Sequence, residues 1–197
     1  MARTRSVGIF VFNDVEILDF CGPFEVFSVA GRQIAPGAFD VFTVAAAAGP
    51  LEARNGLSVN PQYSFANAPR IDLLLIPGGQ GTRPLMYQPP VLNWIASQAG
   101  HAELVLSVCT GSLLLAKAGL LANQVATTHH AALDLLRQSA PATEIREQVR
   151  YVDNGRLITS AGVAAGIDMA LHVVERLLGR EAAEKTARYI EYPWQRQ

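Results

Sequence analysis

The chain has 197 residues, 50% of them hydrophobic, and a formal net charge of −1. This is enough for one well-buried core and too little for two ordinary domains. Without a basic block or an acidic tail, the charge balance argues against nucleic-acid and membrane-surface partners, and no run approaches the ~20 apolar residues of a bilayer span.

Val7-Gly8-Ile9-Phe10-Val11-Phe12 is a continuous apolar run, the pattern of a strand buried on both faces of a parallel sheet. It ends at Asn13-Asp14, too short for a signal-peptide core. Glu16 to Val29 carries helical periodicity, with a break expected at Gly22-Pro23. Phe39 to Val44 predicts a second strand, and Leu51 to Phe65 alternates around Asn55-Gly56, a hairpin signal. Asp72 to Ile76 predicts a third buried strand, stopped by Pro77-Gly78-Gly79. Val91 to Ala99 reads as a helix, and Glu103 to Val108 as another short buried strand. A helix from Thr110 to Gly119 follows, then a strand over Gln124 to Thr128 and a helix over Ala131 to Gln138. Val149 to Val152 and Arg156 to Thr159 flank Asp153-Asn154-Gly155, a second hairpin signal. Helices over Ala164 to Leu178 and from Arg180 to about Ile190 complete the pattern. Strands alternating with helices predict an α/β fold: a mainly parallel sheet with helices on both faces, as one domain over residues 1–197.

In such sheets, ligands bind beyond the carboxyl ends of the strands. Cys109 falls there, between a predicted strand and a predicted helix, with small Ser107 and Gly111 two residues to either side. This is the pattern of a nucleophile elbow with cysteine in place of serine. A thiol at a helix N-terminus is expected to have a lowered pKa, although a buried structural cysteine remains the plainer reading. Gly78 and Gly79 are either a simple turn or, with the Thr110 N–H, the donors of an oxyanion hole.

Asp19 lies just beyond the first strand among apolar neighbours, either as a helix cap or with its carboxyl near the thiol. In the second case its pKa should be raised, and it should serve as proton donor and acceptor. His129 and His130 offer a Cys-His pair, but no acidic residue immediately follows to orient an imidazole, and Asp134 lies a turn further on. The four histidines and two cysteines show no metal-ligand spacing. The glycines form neither a dinucleotide fingerprint nor a P-loop, so neither a metal nor an organic cofactor is expected. Cys21 is expected to fill core, with a resolving role for Cys109 as the alternative. Two cysteines make no disulfide framework, and free thiols predict a cytoplasmic protein.

Four segments carry a likeness to a known family: Ile76-Pro77-Gly78-Gly79, Val108-Cys109-Thr110-Gly111-Ser112, Ala126-Thr127-Thr128-His129, and Ala161-Gly162-Val163-Ala164-Ala165-Gly166-Ile167-Asp168. Together they resemble the ThiJ/PfpI superfamily, which shares a flavodoxin-like core with class I glutamine amidotransferases. Asp19-Phe20-Cys21-Gly22-Pro23 and the Thr-Thr-His run look most like the isocyanide hydratases, and like the ligand domain of AraC-type regulators. The chain departs from the hydratase pattern at His130, where tryptophan is usual, and at Phe20-Cys21, where Leu-Thr is more common. It also stops at Gln197, which is expected to leave no room for a DNA-reading module.

The resemblance implies Cys109 as nucleophile, Asp19 as proton-transfer partner, Thr110 beside them, and a small-molecule substrate. Gly78, Gly79 and His129 would line the substrate site. It also implies a homodimer, with contact through the Ala164 to Leu178 helix or the first helix. Isocyanide hydration is the leading expectation. Amidase, peptidase or glyoxalase-like chemistry and a cysteine redox or small-molecule sensor are the alternatives.

Overall fold

The computed structural model describes residues 3–194 and Arg196. The apolar runs become the centre of a seven-stranded sheet: β1 (Arg5–Phe10), β2 (Phe39–Ala45), β6 (Leu73–Ile76), β7 (Leu104–Ser107) and β11 (Leu157–Ser160). Edge strands β10 (Tyr151–Asp153) and β5 (Tyr63–Ser64) complete the order β10-β11-β7-β6-β1-β2-β5. Every pairing is parallel except β10 with β11, the hairpin anticipated around Asn154-Gly155. Val7 pairs with Val41 on one side and Leu73 on the other, and Leu106 with Ile158 across β7 and β11. All four residues of β6, of β7 and of β11 are buried, as a sheet covered on both faces requires.

The helices pack in two groups. One contains α1 (Ile17–Val29), α6 (Ala165–Leu178) and α7 (Arg180–Tyr189); the other contains α3 (Pro89–His101), α4 (Gly111–Lys117) and α5 (Leu133–Ser139). A short α2 (Thr82–Leu85) abuts α4. The fold is the flavodoxin-like α/β arrangement. Among the described residues, no helix is long and apolar enough to cross a membrane.

Three expectations need correction. α1 is not broken at Gly22-Pro23: it runs through Pro23 and continues into a π-helical turn over Ala30–Ile34. The ring removes only the donor for the Asp19 carbonyl, while Pro23, Val26 and Phe27 stay buried on the inward face. The predicted strand at Gln124–Thr128 shrinks to β8 (Val125–Ala126), which pairs outside the main sheet with β9 (Glu144–Ile145). The hairpin around Asn55-Gly56 forms between β3 (Leu51–Glu52) and β4 (Ser58–Val59), but its C-terminal continuation instead joins β2 as the parallel strand β5.

Candidate active site

Parallel strands deliver their following loops to one edge of the sheet, and at that edge the loops after β1, β6, β7 and β11 are laced together. Glu16 donates its N–H to the Gly78 carbonyl at 2.9 Å, and Val15 bridges to Gly79. Cys109 donates its N–H to the Ser160 and Ala161 carbonyls, at 3.2 and 3.1 Å. The Cys109 carbonyl accepts from Thr128 Oγ1 at 2.8 Å and Ser112 Oγ at 3.1 Å. These bonds hold Cys109 at φ 55°, a left-handed conformation rare outside glycine and the mark of a strained elbow. Helix α4 starts immediately afterwards, and only a glycine fits at Gly111, because a β-carbon there would collide with the Ile76 carbonyl.

Asp19 occupies the first turn of α1, at the position of its inward stripe that continues as Pro23, Val26 and Phe27. It is fully buried. Its Oδ2 accepts the Gly78 N–H at 2.9 Å, while its buried Oδ1 has no hydrogen-bond partner among the described residues. Burial lifts its pKa to about 7, against the pull of the Gly78 amide; the Glu16 charge adds to the rise, and the Cys109 thiol and Val163 amide oppose it. The expectation of a raised carboxyl in contact range of the thiol therefore holds. The lowered thiol pKa does not. Burial first, then the Asp19 charge, push Cys109 up to about 12, and the Thr110 amide and hydroxyl offset this only in part. A seven-residue helix cannot outweigh the desolvation of a thiol on a residue that is only 6% exposed. The two groups are coupled: protonating Asp19 removes the charge that disfavours the thiolate.

The glycine turn is also engaged differently from expectation. Gly78 N–H is taken by Asp19, and Gly79 N–H by Thr110 Oγ1 at 3.0 Å. Neither is free to serve an oxyanion; the Thr110 amide is the donor that faces the sulfur. Gly78 must be glycine here, since a β-carbon would lie 2.7 Å from Thr110 Oγ1 and 2.8 Å from Asp19 Oδ2. Thr110 Oγ1 is further held by Thr82 Oγ1 at 3.2 Å and by Arg83 at 3.3 Å.

His129 lies in the same cleft but makes no triad. Its Nδ1 accepts the Ala131 N–H at 3.2 Å, which places the ring proton on Nε2, and its ring packs on His130 at 4.2 Å. Burial, then His130 and Arg83, lower its pKa, so it stands neutral. Asp134 is bound instead to Arg137 at 2.7 Å on the surface. The cleft measures about 130 Å³, with Cys109, Thr110, Gly79 and His129 joined by Glu16, Arg54, Gln80, Arg83 and Val163. None of those last five was anticipated as a site residue. The charged ones carry no local pattern, because the fold alone assembles them; Val163 does stand in the Ala161–Asp168 segment of the family likeness, but its φ of 51° cannot be read from residue type. Cys21 proves to be exposed on α1, not core, because its position faces away from the inward stripe.

Set beside known proteins, residues 5–176 match the DJ-1/PfpI family. An isonitrile hydratase of Pseudomonas putida is 37% identical over 188 residues, covering 95% of this chain and 78% of the relative. An HTH-type transcriptional regulator, GbdR, of Pseudomonas aeruginosa is 26% identical over 188 residues, or 95% of this chain and 51% of its own. This chain thus spans about half of that regulator. Among solved structures, a ThiJ/PfpI family protein from Pseudomonas syringae superposes with a TM-score of 0.88 at 29% identity, covering 100% of this chain and 78% of that one.

Proposed function

This chain belongs to the DJ-1/PfpI family, and we propose that within it the protein hydrates isocyanides to N-substituted formamides through a covalent intermediate on Cys109. The observation that carries this reading is the Asp19–Cys109 pair: a buried carboxyl with a pKa of about 7 beside a buried thiol, while His129 Nδ1 is taken by the Ala131 N–H. The identity to an isonitrile hydratase supports it.

Isocyanide carbon accepts both a nucleophile and a proton, so one group that removes and returns a proton suffices. Asp19 carboxylate takes the Cys109 proton as sulfur bonds to the terminal carbon, then delivers that proton to the same carbon. The product is a thioimidate, R–N=CH–S–Cys109. Asp19, again ionised, takes a proton from water as its oxygen adds to that carbon, and passes it to nitrogen. The tetrahedral adduct R–NH–CH(OH)–S–Cys109 then collapses: the C–S bond breaks, the hydroxyl proton returns to sulfur through Asp19, and R–NH–CHO leaves. One isocyanide and one water are consumed, and the enzyme is unchanged. A carboxyl poised near neutral pH suits both directions of transfer. The Thr110 amide at the sulfur favours the thiolate as it develops.

The test is formamide production by wild type, Cys109→Ala, Asp19→Asn and His129→Ala. Turnover should vanish in Cys109→Ala and fall by on the order of 10²-fold or more in Asp19→Asn. Full turnover in Asp19→Asn, or a loss in His129→Ala as deep as in Cys109→Ala, would contradict the assignment and favour carbonyl chemistry with a histidine base.

A further inference from the structure

Arg83 lies on α2 and reaches the cleft beside Cys109. The other arginine of the cleft, Arg54, is paired with Asp14 at 3.7 Å. Arg83 forms no ion pair among the described residues. Its hydrogen bonds all leave Nη1 and go to uncharged oxygens of the elbow: the Gly79 carbonyl at 3.0 Å, Thr82 Oγ1 at 3.2 Å and Thr110 Oγ1 at 3.3 Å. A guanidinium donates and never accepts, so each of these contacts occupies a lone pair.

Counting lone pairs decides where the Thr110 hydroxyl proton goes. Thr110 Oγ1 has two lone pairs and one proton. The Gly79 N–H at 3.0 Å and Arg83 Nη1 take the lone pairs. For the proton, the Gly79 carbonyl lies at 3.3 Å, but Thr82 Oγ1 at 2.8 Å and Arg83 at 3.0 Å are closer to it and fill it. Thr82 Oγ1 faces Thr110 as a donor at 3.2 Å and itself accepts from Arg83. The acceptor left among the described residues is the Cys109 sulfur, which the Thr110 hydroxyl also meets.

We propose that Arg83 is a positioning residue: it fills the Gly79 carbonyl and one lone pair of Thr110 Oγ1, and so turns the Thr110 hydroxyl toward the Cys109 sulfur as a donor. A donor aimed at that atom stabilises the thiolate as it forms. The benefit to isocyanide hydration rests on the reading above; the stabilised thiolate does not.

The rate at which iodoacetamide alkylates Cys109 at about pH 8 reads the thiolate without any isocyanide. It is followed on the Cys109 peptide, so that exposed Cys21 does not interfere. Arg83→Met should slow this rate about tenfold more in the wild-type background than in Thr110→Val, where no hydroxyl is left to orient. A change in access to the cleft is common to both backgrounds and cancels in that ratio. Thr82→Val keeps the shape of a buried side chain but frees a lone pair on the Gly79 carbonyl, and should show the same dependence on Thr110. Misfolding of one variant therefore leaves the other decisive. Equal effects in the two backgrounds, no effect included, would overturn the proposal, because the guanidinium would then act on the sulfur by charge alone or merely hold α2. Should the dependence on Thr110 appear while no isocyanide turns over, Arg83 keeps its role and the hydratase reading falls. If isocyanides turn over and the dependence is absent, the hydratase reading stands and the role of Arg83 falls.

Discussion

Two aspartates occupy the first turns of two helices that pack against each other, and both are fully buried: Asp19 on α1 and Asp168 on α6. Their surroundings differ in kind. Asp168 meets a cation, with Arg150 Nε at 2.7 Å from its Oδ2 and the Tyr192 hydroxyl at 3.2 Å. Asp19 instead accepts the Gly78 N–H, faces the Val163 amide and the Cys109 thiol, and keeps a buried Oδ1 without a hydrogen-bond partner among the described residues. A buried carboxylate that is neutralised ties elements together, here β10's approach and the C-terminal segment to α6. One that is left unneutralised keeps its proton to near neutral pH, which is what the proposed reaction asks of Asp19. Both lie in the first turn of a helix; what separates their surroundings is the guanidinium beside Asp168.

Replacing each by asparagine should sharpen the contrast. Asp19→Asn costs the most in activity, the 10²-fold or larger loss already stated, yet should leave urea-unfolding stability at pH 8 equal or higher, because no carboxylate then has to be held out of water. Asp168→Asn should do the reverse: a loss of about 2 kcal/mol in the same unfolding experiment, since the buried Asp168 charge and its pairing with Arg150 are removed. Equal effects of the two on stability would break the comparison.

The pH dependence of stability tests the same difference. Asp19 is raised from about 3.9 in the unfolded chain to about 7 in the folded one. Between those values the folded state holds a proton that the unfolded state has released. Its contribution to stability is therefore fully present below about pH 4, and is lost as pH rises through about 7, by up to ~1.4 kcal/mol per pH unit. Asp19→Asn should remove that slope. The kcat/KM of wild type should rise with pH through the same region to a plateau, as the carboxylate becomes available as base. The smallest effect belongs to Thr110→Val, which deprives the Gly79 N–H of its acceptor and should cost about 1 kcal/mol in unfolding, measured by urea titration.

Much of this was legible in the sequence, for identifiable reasons. Continuous apolar runs such as Leu73–Ile76 announce strands buried on both faces, and a cysteine between strand and helix announces the elbow. Asp19 is readable because it interrupts an otherwise apolar stripe. Hydrogen-bond allegiance is not readable in this way. Nothing in Pro77-Gly78-Gly79 says that its two glycine amides serve Asp19 and Thr110 in place of an oxyanion. The outcome of burial against helix dipole at Cys109 is likewise a matter of depth, which residue type does not encode. Arg54 reaches the cleft from the turn between β3 and β4 and Arg83 from α2, segments apart in sequence, so only the tertiary fold brings them to Cys109.

The most direct test is mass spectrometry of the Cys109 peptide, quenched while the wild-type protein is turning over an aryl isocyanide. A mass increase of one isocyanide is expected on Cys109, with none on that peptide in Cys109→Ala and formamide from wild type alone. Formamide produced equally by Cys109→Ala, or neither adduct nor formamide from wild type, would contradict it.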